Sequence, residues 1–81
     1  MKISYASKFK RDFASFSSST KNKFYKQADY LLQNLRHPSL KAKKYSEKHD
    51  IWQARVDKST RFYFIIEKEI YILLDIKKHP K

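Results

Sequence analysis

The second half of the chain alternates apolar and polar residues in three successive runs. Trp52, Ala54 and Val56 alternate with Gln53, Arg55 and Asp57. Phe62, Phe64 and Ile66 alternate with Arg61, Tyr63 and Ile65. Ile70, Ile72, Leu74 and Ile76 alternate with Tyr71, Leu73, Asp75 and Lys77. A period of two is strand geometry, because successive side chains leave a strand on opposite faces. The pattern therefore predicts three antiparallel strands with one apolar face turned to a core. The other face is mixed and carries Gln53, Arg55, Asp57, Arg61, Tyr63, Tyr71, Asp75, Lys77 and, by continuation, His79. Residues directly opposed in an antiparallel pair share a face. A connection through Glu67, Lys68 and Glu69 keeps the faces matched, pairs Ile66 with Ile70 and sets Arg61 opposite Asp75. The same reasoning on the preceding hairpin sets Arg61 opposite Asp57. The chain has no glycine, which three-residue loops usually want, so a bulge that shifts this register is the alternative.

The first half reads differently. KISY predicts a short strand with Ile3 and Tyr5 on one face. Ser7 is a plausible helix N-cap, and Phe9, Phe13 and Phe16 follow at helical spacing. The run SSST breaks that helix, since these side chains bond their own backbone. A second helix is expected from near Thr20 to near Arg36, with Phe24, Ala28, Leu31, Leu32 and Leu35 on its apolar stripe. It stops there because His37 precedes Pro38 and is biased to extended geometry. The whole is an α+β fold in one domain, 1–81. An N-terminal strand and a helical hairpin are packed on one face of a small antiparallel sheet.

Eighty-one residues bury only roughly 60% of their unfolded surface. Aromatic residues, each burying a large area, make up for the thin core. There is no cysteine, which excludes disulfides and thiolate metal sites. The opening MKISYASKFKRD has no apolar run of the kind a signal peptide needs. The longest apolar runs, Phe62 to Ile66 and Ile70 to Leu74, are too short to span a bilayer, so the expected location is the cytoplasm. Nineteen Lys and Arg against eight Asp and Glu give a formal net charge of +11. For a small domain that points to nucleic acid or to an acidic protein partner. The basic residues do not share one helix with a wide apolar face, which argues against a membrane surface.

Two readings of Arg61 are open. It is a surface ion pair between Asp57 and Asp75, or a planar fork for phosphate. His79 is a frayed terminus, or a general acid or base whose neutral form the neighbouring Lys77, Lys78 and Lys81 favour. His49 lies eight residues before Asp57, roughly 26 Å along an extended chain, too far to share a phosphate with His79. Scattered histidines without clustered carboxylates point to no metal and no cofactor. A nucleotide-binding glycine loop is impossible without glycine. The lysines of the helices read as solvated faces. Lys41, Lys43 and Lys44 enter the sheet beside the mixed face, where Tyr63 and Tyr71 are candidates to stack bases.

Strand, helical hairpin and three antiparallel strands, in about eighty basic residues, together resemble the RelE/ParE superfamily of toxins. The segments that carry the resemblance are KISYASKFKRDF, HPSLKAKKY and, above all, IWQARVDKSTRFYFIIEKEIYILLDIKKH. It covers essentially the whole chain. It implies a toxin of a type II toxin–antitoxin system, neutralised by a cognate acidic antitoxin. The implied activity is ribosome-dependent, metal-independent cleavage of messenger RNA, in which the 2′-hydroxyl attacks the adjacent phosphate. Arg61 matches the strand arginine that stabilises that phosphate, and His79 matches a catalytic residue after the last strand. Arg55 and Gln53 match exposed positions of the preceding strand, and Lys81 matches a terminal basic residue. Many members carry a tyrosine where this chain has Pro80 and Lys81. The superfamily also contains toxins that inhibit gyrase and cleave nothing, so a gyrase-directed toxin and a weakly catalytic RNA-binding relative are the alternatives.

Overall fold

The computed structural model describes residues 1–78. The elements run β1 (Lys2–Tyr5), α1 (Ser7–Ala14), α2 (Ser18–Gln33), a short 3₁₀ turn (Pro38–Leu40), β2 (Lys43–Ser46), β3 (Ile51–Arg55), β4 (Thr60–Glu67) and β5 (Ile70–Lys78). The α+β architecture is the expected one. The sheet has five strands in the order β1-β5-β4-β3-β2, one more than the four expected from KISY and the three alternating runs. The added strand, Lys43-Lys44-Tyr45-Ser46, is an edge strand with little apolar signal, which is how edges are usually protected. The sheet is mixed, because β1 lies parallel to β5, pairing Lys2 with Ile70 and Tyr5 with Leu73.

Capping explains the helix boundaries. The Ala6 amide donates to the Leu73 carbonyl at 2.9 Å and so prolongs the β1–β5 ladder. The N-cap is therefore Ala6, not Ser7, and no side chain caps α1. Ser17 caps α2, its Oγ accepting from the Thr20 amide at 3.2 Å. That starts the helix two residues before Thr20. It also stops earlier than Arg36. Asn34 turns extended and its side-chain oxygen accepts from the Arg36 amide at 2.9 Å. The His37 ring then stacks on Tyr30 at 3.8 Å, and its Nδ1 accepts from the Ser39 amide.

The core lies between the helices and one face of the sheet. Phe9, Phe24, Phe62 and Phe64 form its aromatic spine, with Phe24 edge-on to Phe62 at 5.5 Å. Leu31, Leu40, Leu73 and Ile76 fill around it. Leu32, expected on the stripe, is exposed. In β5 the expected phase is half wrong. Tyr71 and Leu73 are buried in the core, whereas Ile70 is exposed and Ile72 and Leu74 are only half-buried. The β4–β5 turn contains only Lys68 and Glu69, so Glu67 pairs with Ile70 and not Ile66 with Ile70. A bulge then leaves Leu74 unpaired between Tyr63↔Asp75 and Phe64↔Leu73. That extra residue restores the phase, and Ile76 returns to the core beside Phe62. Without glycine, three turns run through the left-handed region on Lys41, Asp50 and Lys68.

Candidate functional site

The β3–β4–β5 register builds the site. Arg55 pairs with Arg61, and Arg61 pairs with Lys77. Three cations thus form one row across three strands, on the face away from the helices. Asp57 and Asp75, expected opposite Arg61, do not pair with it across the strands. The cause is the same two-residue turn and bulge in β5. On the other side, a longer β3–β4 loop is closed by Val56 donating to the Thr60 carbonyl at 2.9 Å. Beside the row runs a second one, Lys43–Gln53–Tyr63–Asp75.

Lys41, Lys43, Gln53, Arg55 and Arg61 line a cavity of about 300 Å³. Four of the five are cationic, and none is acidic. Among the described residues no carboxylate lies within 4.0 Å of either guanidinium. Arg61 is only 9% exposed. Its Nη1 donates to the backbone carbonyls of Asp57 at 2.6 Å and Thr60 at 3.1 Å. The Asp57 carboxylate is occupied elsewhere. It accepts from the Ser59 amide at 2.9 Å and stands 3.7 Å from Lys23. Burial pushes that carboxyl up, but the bonds from Ser59 and Thr60 and the charge of Lys23 outweigh it and leave it below the ordinary aspartate value. Arg55 has a buried Nε with no hydrogen-bond partner. Like charges directly opposed across strands repel, and a buried cation needs a counter-charge. The row therefore has the chemistry of an anion site, with no anion for its guanidiniums among the described residues.

The remaining candidates separate. Lys77 closes the row, with its Nζ 4.9 Å above the Tyr63 ring and 3.9 Å from Asp75. Lys44 is not in the cavity. It pairs with Trp52 on the opposite face, its Nζ ion-paired with Asp50, 4.0 Å from Glu47 and 5.2 Å from the Trp52 ring. Alternation explains this, since Lys43 and Lys44 must point opposite ways. Tyr71 is buried in the core, edge-on to Phe64, and presents no ring to a base. Tyr63 is on the site face but 6% exposed, roofed by Tyr45 at 4.9 Å and by Lys77. That burial pushes its phenol above the ordinary value. The roles expected of His79 and Lys81 fall outside the described residues. In sequence, His79 follows Arg61's partner Lys77 by two positions rather than the four that the expected register implied.

Two contributors escape a reading of the alternation. Tyr45, in β2, stands 57% exposed over Tyr63. Gln27 is buried in α2 behind the cavity. Its amide donates to the Arg55 carbonyl at 2.7 Å and the Ser39 carbonyl at 3.0 Å, and its Oε1 accepts from the Ser39 hydroxyl at 2.8 Å. It ties the segment before Lys41 to the strand end that carries Arg55. Its signal was a polar residue three after Phe24 and four before Leu31, on the apolar stripe itself.

No family model and no curated protein matches the sequence. Solved structures do match. A YoeB/ParE toxin from Agrobacterium tumefaciens superposes with a TM-score of 0.82 at 12% identity, covering 99% of this chain and 100% of that one. The archaeal RelE–RelB complex from Pyrococcus horikoshii OT3 gives 0.80 at 13% identity, with 99% and 96% covered. A heterotetrameric YoeB–YefM toxin–antitoxin complex from Staphylococcus aureus gives 0.79 at 14%, with 96% and 95% covered. The chain has the fold of the RelE/ParE toxins. Within that group the neighbours named YoeB and RelE cover it almost end to end, and two of the three are bound to antitoxins.

Proposed function

We propose that this protein is the toxin of a type II toxin–antitoxin pair and that it cleaves messenger RNA on the ribosome. The observation that carries the reading is the Arg55–Arg61–Lys77 row, its two guanidiniums without carboxylate partners among the described residues, beside a cavity lined by Lys41 and Lys43. The likeness to toxins, two of them in complex with antitoxins, supports it. The reaction needs no metal. The 2′-oxygen of one nucleotide forms a bond to its own 3′-phosphorus as the bond from that phosphorus to the 5′-oxygen of the next nucleotide breaks. The 2′-hydroxyl gives up a proton, and the departing 5′-oxygen takes one. Arg61 and Arg55 hold the non-bridging oxygens, whose charge grows in the transition state, with fixed donors that need no reorganisation. Lys77 adds a third positive charge. His79, outside the described residues, is assigned the proton transfers. A cognate acidic antitoxin is the protein partner, attracted by the +11 surface. The working place is the cytoplasm, where the ribosome is. Among the described residues no helix is long and apolar enough to cross a membrane.

Inducing the chain in cells and mapping messenger ends by primer extension tests the reading. Cuts inside codons of translated messages are expected. Loss of plasmid supercoiling with intact messages overturns the nuclease in favour of a gyrase-directed toxin. Free protein that harms nothing and co-purifies with no acidic partner from its own operon overturns the toxin assignment.

A further inference from the structure

The sheet is interrupted twice, and both interruptions meet at one place. On β2 the register slips between Lys44 and Ser46, leaving Tyr45 as the extra residue. On β5 the slip leaves Leu74 as the extra residue. A bulge re-aims the side chain it releases, and bulges gather beside functional sites. Tyr45 and Leu74 line the same cavity of about 210 Å³, together with Lys8, Ile51, Tyr63, Asp75 and Lys77. It adjoins the cation row, because Tyr63↔Asp75 is the next pair on the same face after Arg61↔Lys77, two residues or about 7 Å along the strand. That is the offset between a nucleotide's phosphate and its base.

The walls differ from those of the phosphate cavity. Tyr45 offers an exposed ring held edge-on by Tyr63 at 66° and 4.9 Å. Ile51 and Leu74 are apolar. Asp75 supplies a carboxylate held in place by Lys8, whose Nζ donates to Oδ1 at 2.8 Å and also to Asp12 at 2.7 Å. Lys77 stands 3.9 Å from the other oxygen, Oδ2; a carboxylate is an acceptor only, with about four lone-pair sites, and keeps room for further donors beside the two lysines. An aromatic platform binds any base, but an acceptor on the wall selects. Guanine presents an N–H and an amino group side by side. Uracil presents one N–H between two carbonyl oxygens, which a carboxylate repels.

We infer that this second cavity is a nucleobase slot, with Tyr45 as the stacking platform and Asp75 as the selecting group. It favours an amino-bearing base, guanine first, and rejects uracil. The slot rests on the RNA reading of the adjoining cation row and specifies the substrate of that site. Titrating the intact protein with guanosine 3′-monophosphate, uridine 3′-monophosphate and inorganic phosphate, followed by calorimetry or NMR, tests it. The guanosine nucleotide is expected to bind roughly ten-fold tighter than the uridine one, the scale of one base stack and its edge contact. Tyr45→Ala should weaken both nucleotides about ten-fold. Asp75→Asn should bring the guanosine-to-uridine ratio close to one. Equal affinities of the two nucleotides for the unaltered protein, or no loss on Tyr45→Ala, overturn the slot while leaving the phosphate site standing. If none of the three ligands binds, the phosphate reading fails and the slot fails with it.

Discussion

Arg61 has two roles that its substitution cannot separate. Its guanidinium faces a cavity without carboxylates, and it also bonds the carbonyls of Asp57 and Thr60. Arg61→Ala is therefore expected to abolish cleavage and to cost about 1–3 kcal/mol of stability, because the part-buried Asp57 carbonyl loses its guanidinium donor while that of Thr60 keeps the Val56 amide. Arg55 is the cleaner probe. It sits directly across from Arg61 with an unpartnered Nε. Arg55→Gln should weaken RNA binding yet leave the free protein as stable or more so, by up to about 0.5 kcal/mol, as a like-charge contact disappears. Parallel denaturation and cleavage assays check the pair, and an equal loss of stability in both variants would contradict the like-charge row. The sequence made the face of Arg55 and Arg61 legible, since alternation decides faces. It did not make their partners legible, because partners depend on turn length and bulges, which alternation does not encode.

Among the elements, β5 shows where the reading stops. Ile70, Ile72, Leu74 and Ile76 are apolar, but so are Tyr71 and Leu73. Either set can face a core, and one extra residue at Leu74 lets the strand use part of each. The helices were easier, because the Phe9 and Phe24 stripes have a single apolar side. Their ends were set by caps at Ala6, Ser17 and Asn34 that several nearby serines and polar residues could equally have supplied. The β4–β5 turn carries a recoverable cost. Lys68 has φ 53°, a region that costs a residue with a Cβ about 1–2 kcal/mol. Lys68→Gly removes the clash and admits more freedom in the unfolded chain, so a net gain of roughly 0.5–1 kcal/mol is expected. No gain in the denaturation midpoint would show that the turn is not strained. α2 gives a different test. Gln27→Leu keeps the volume but drops three hydrogen bonds between α2, the 3₁₀ turn and β3. It should lower stability by about 1–3 kcal/mol and lower phosphate affinity as well, with Gln27→Glu failing to restore either.

At the scale of the molecule, an excess of eleven positive charges makes the free protein a poor match for itself. Any anion that binds only the folded form adds stability, by about 2.7 kcal/mol at a hundred times its dissociation constant. In a domain of this size that is worth on the order of 10 °C or more in midpoint. A short phosphorothioate RNA or polyphosphate is expected to raise the midpoint by that order at low salt, and the rise should fade as sodium chloride screens the charges. A rise equal to that given by sodium chloride alone would mean diffuse charge and no built site. One further consequence comes from the parallel pairing of β1 with β5. Lys2 waits for Ile70, and β5 separates β1 from the rest of the sheet. Of the five strands, the one synthesised first cannot be seated until the one synthesised last has emerged. The cation row is incomplete for the same interval, because Lys77 belongs to that last strand. A nascent chain of this protein therefore holds neither a seated β1 nor a complete cation row until β5 has emerged.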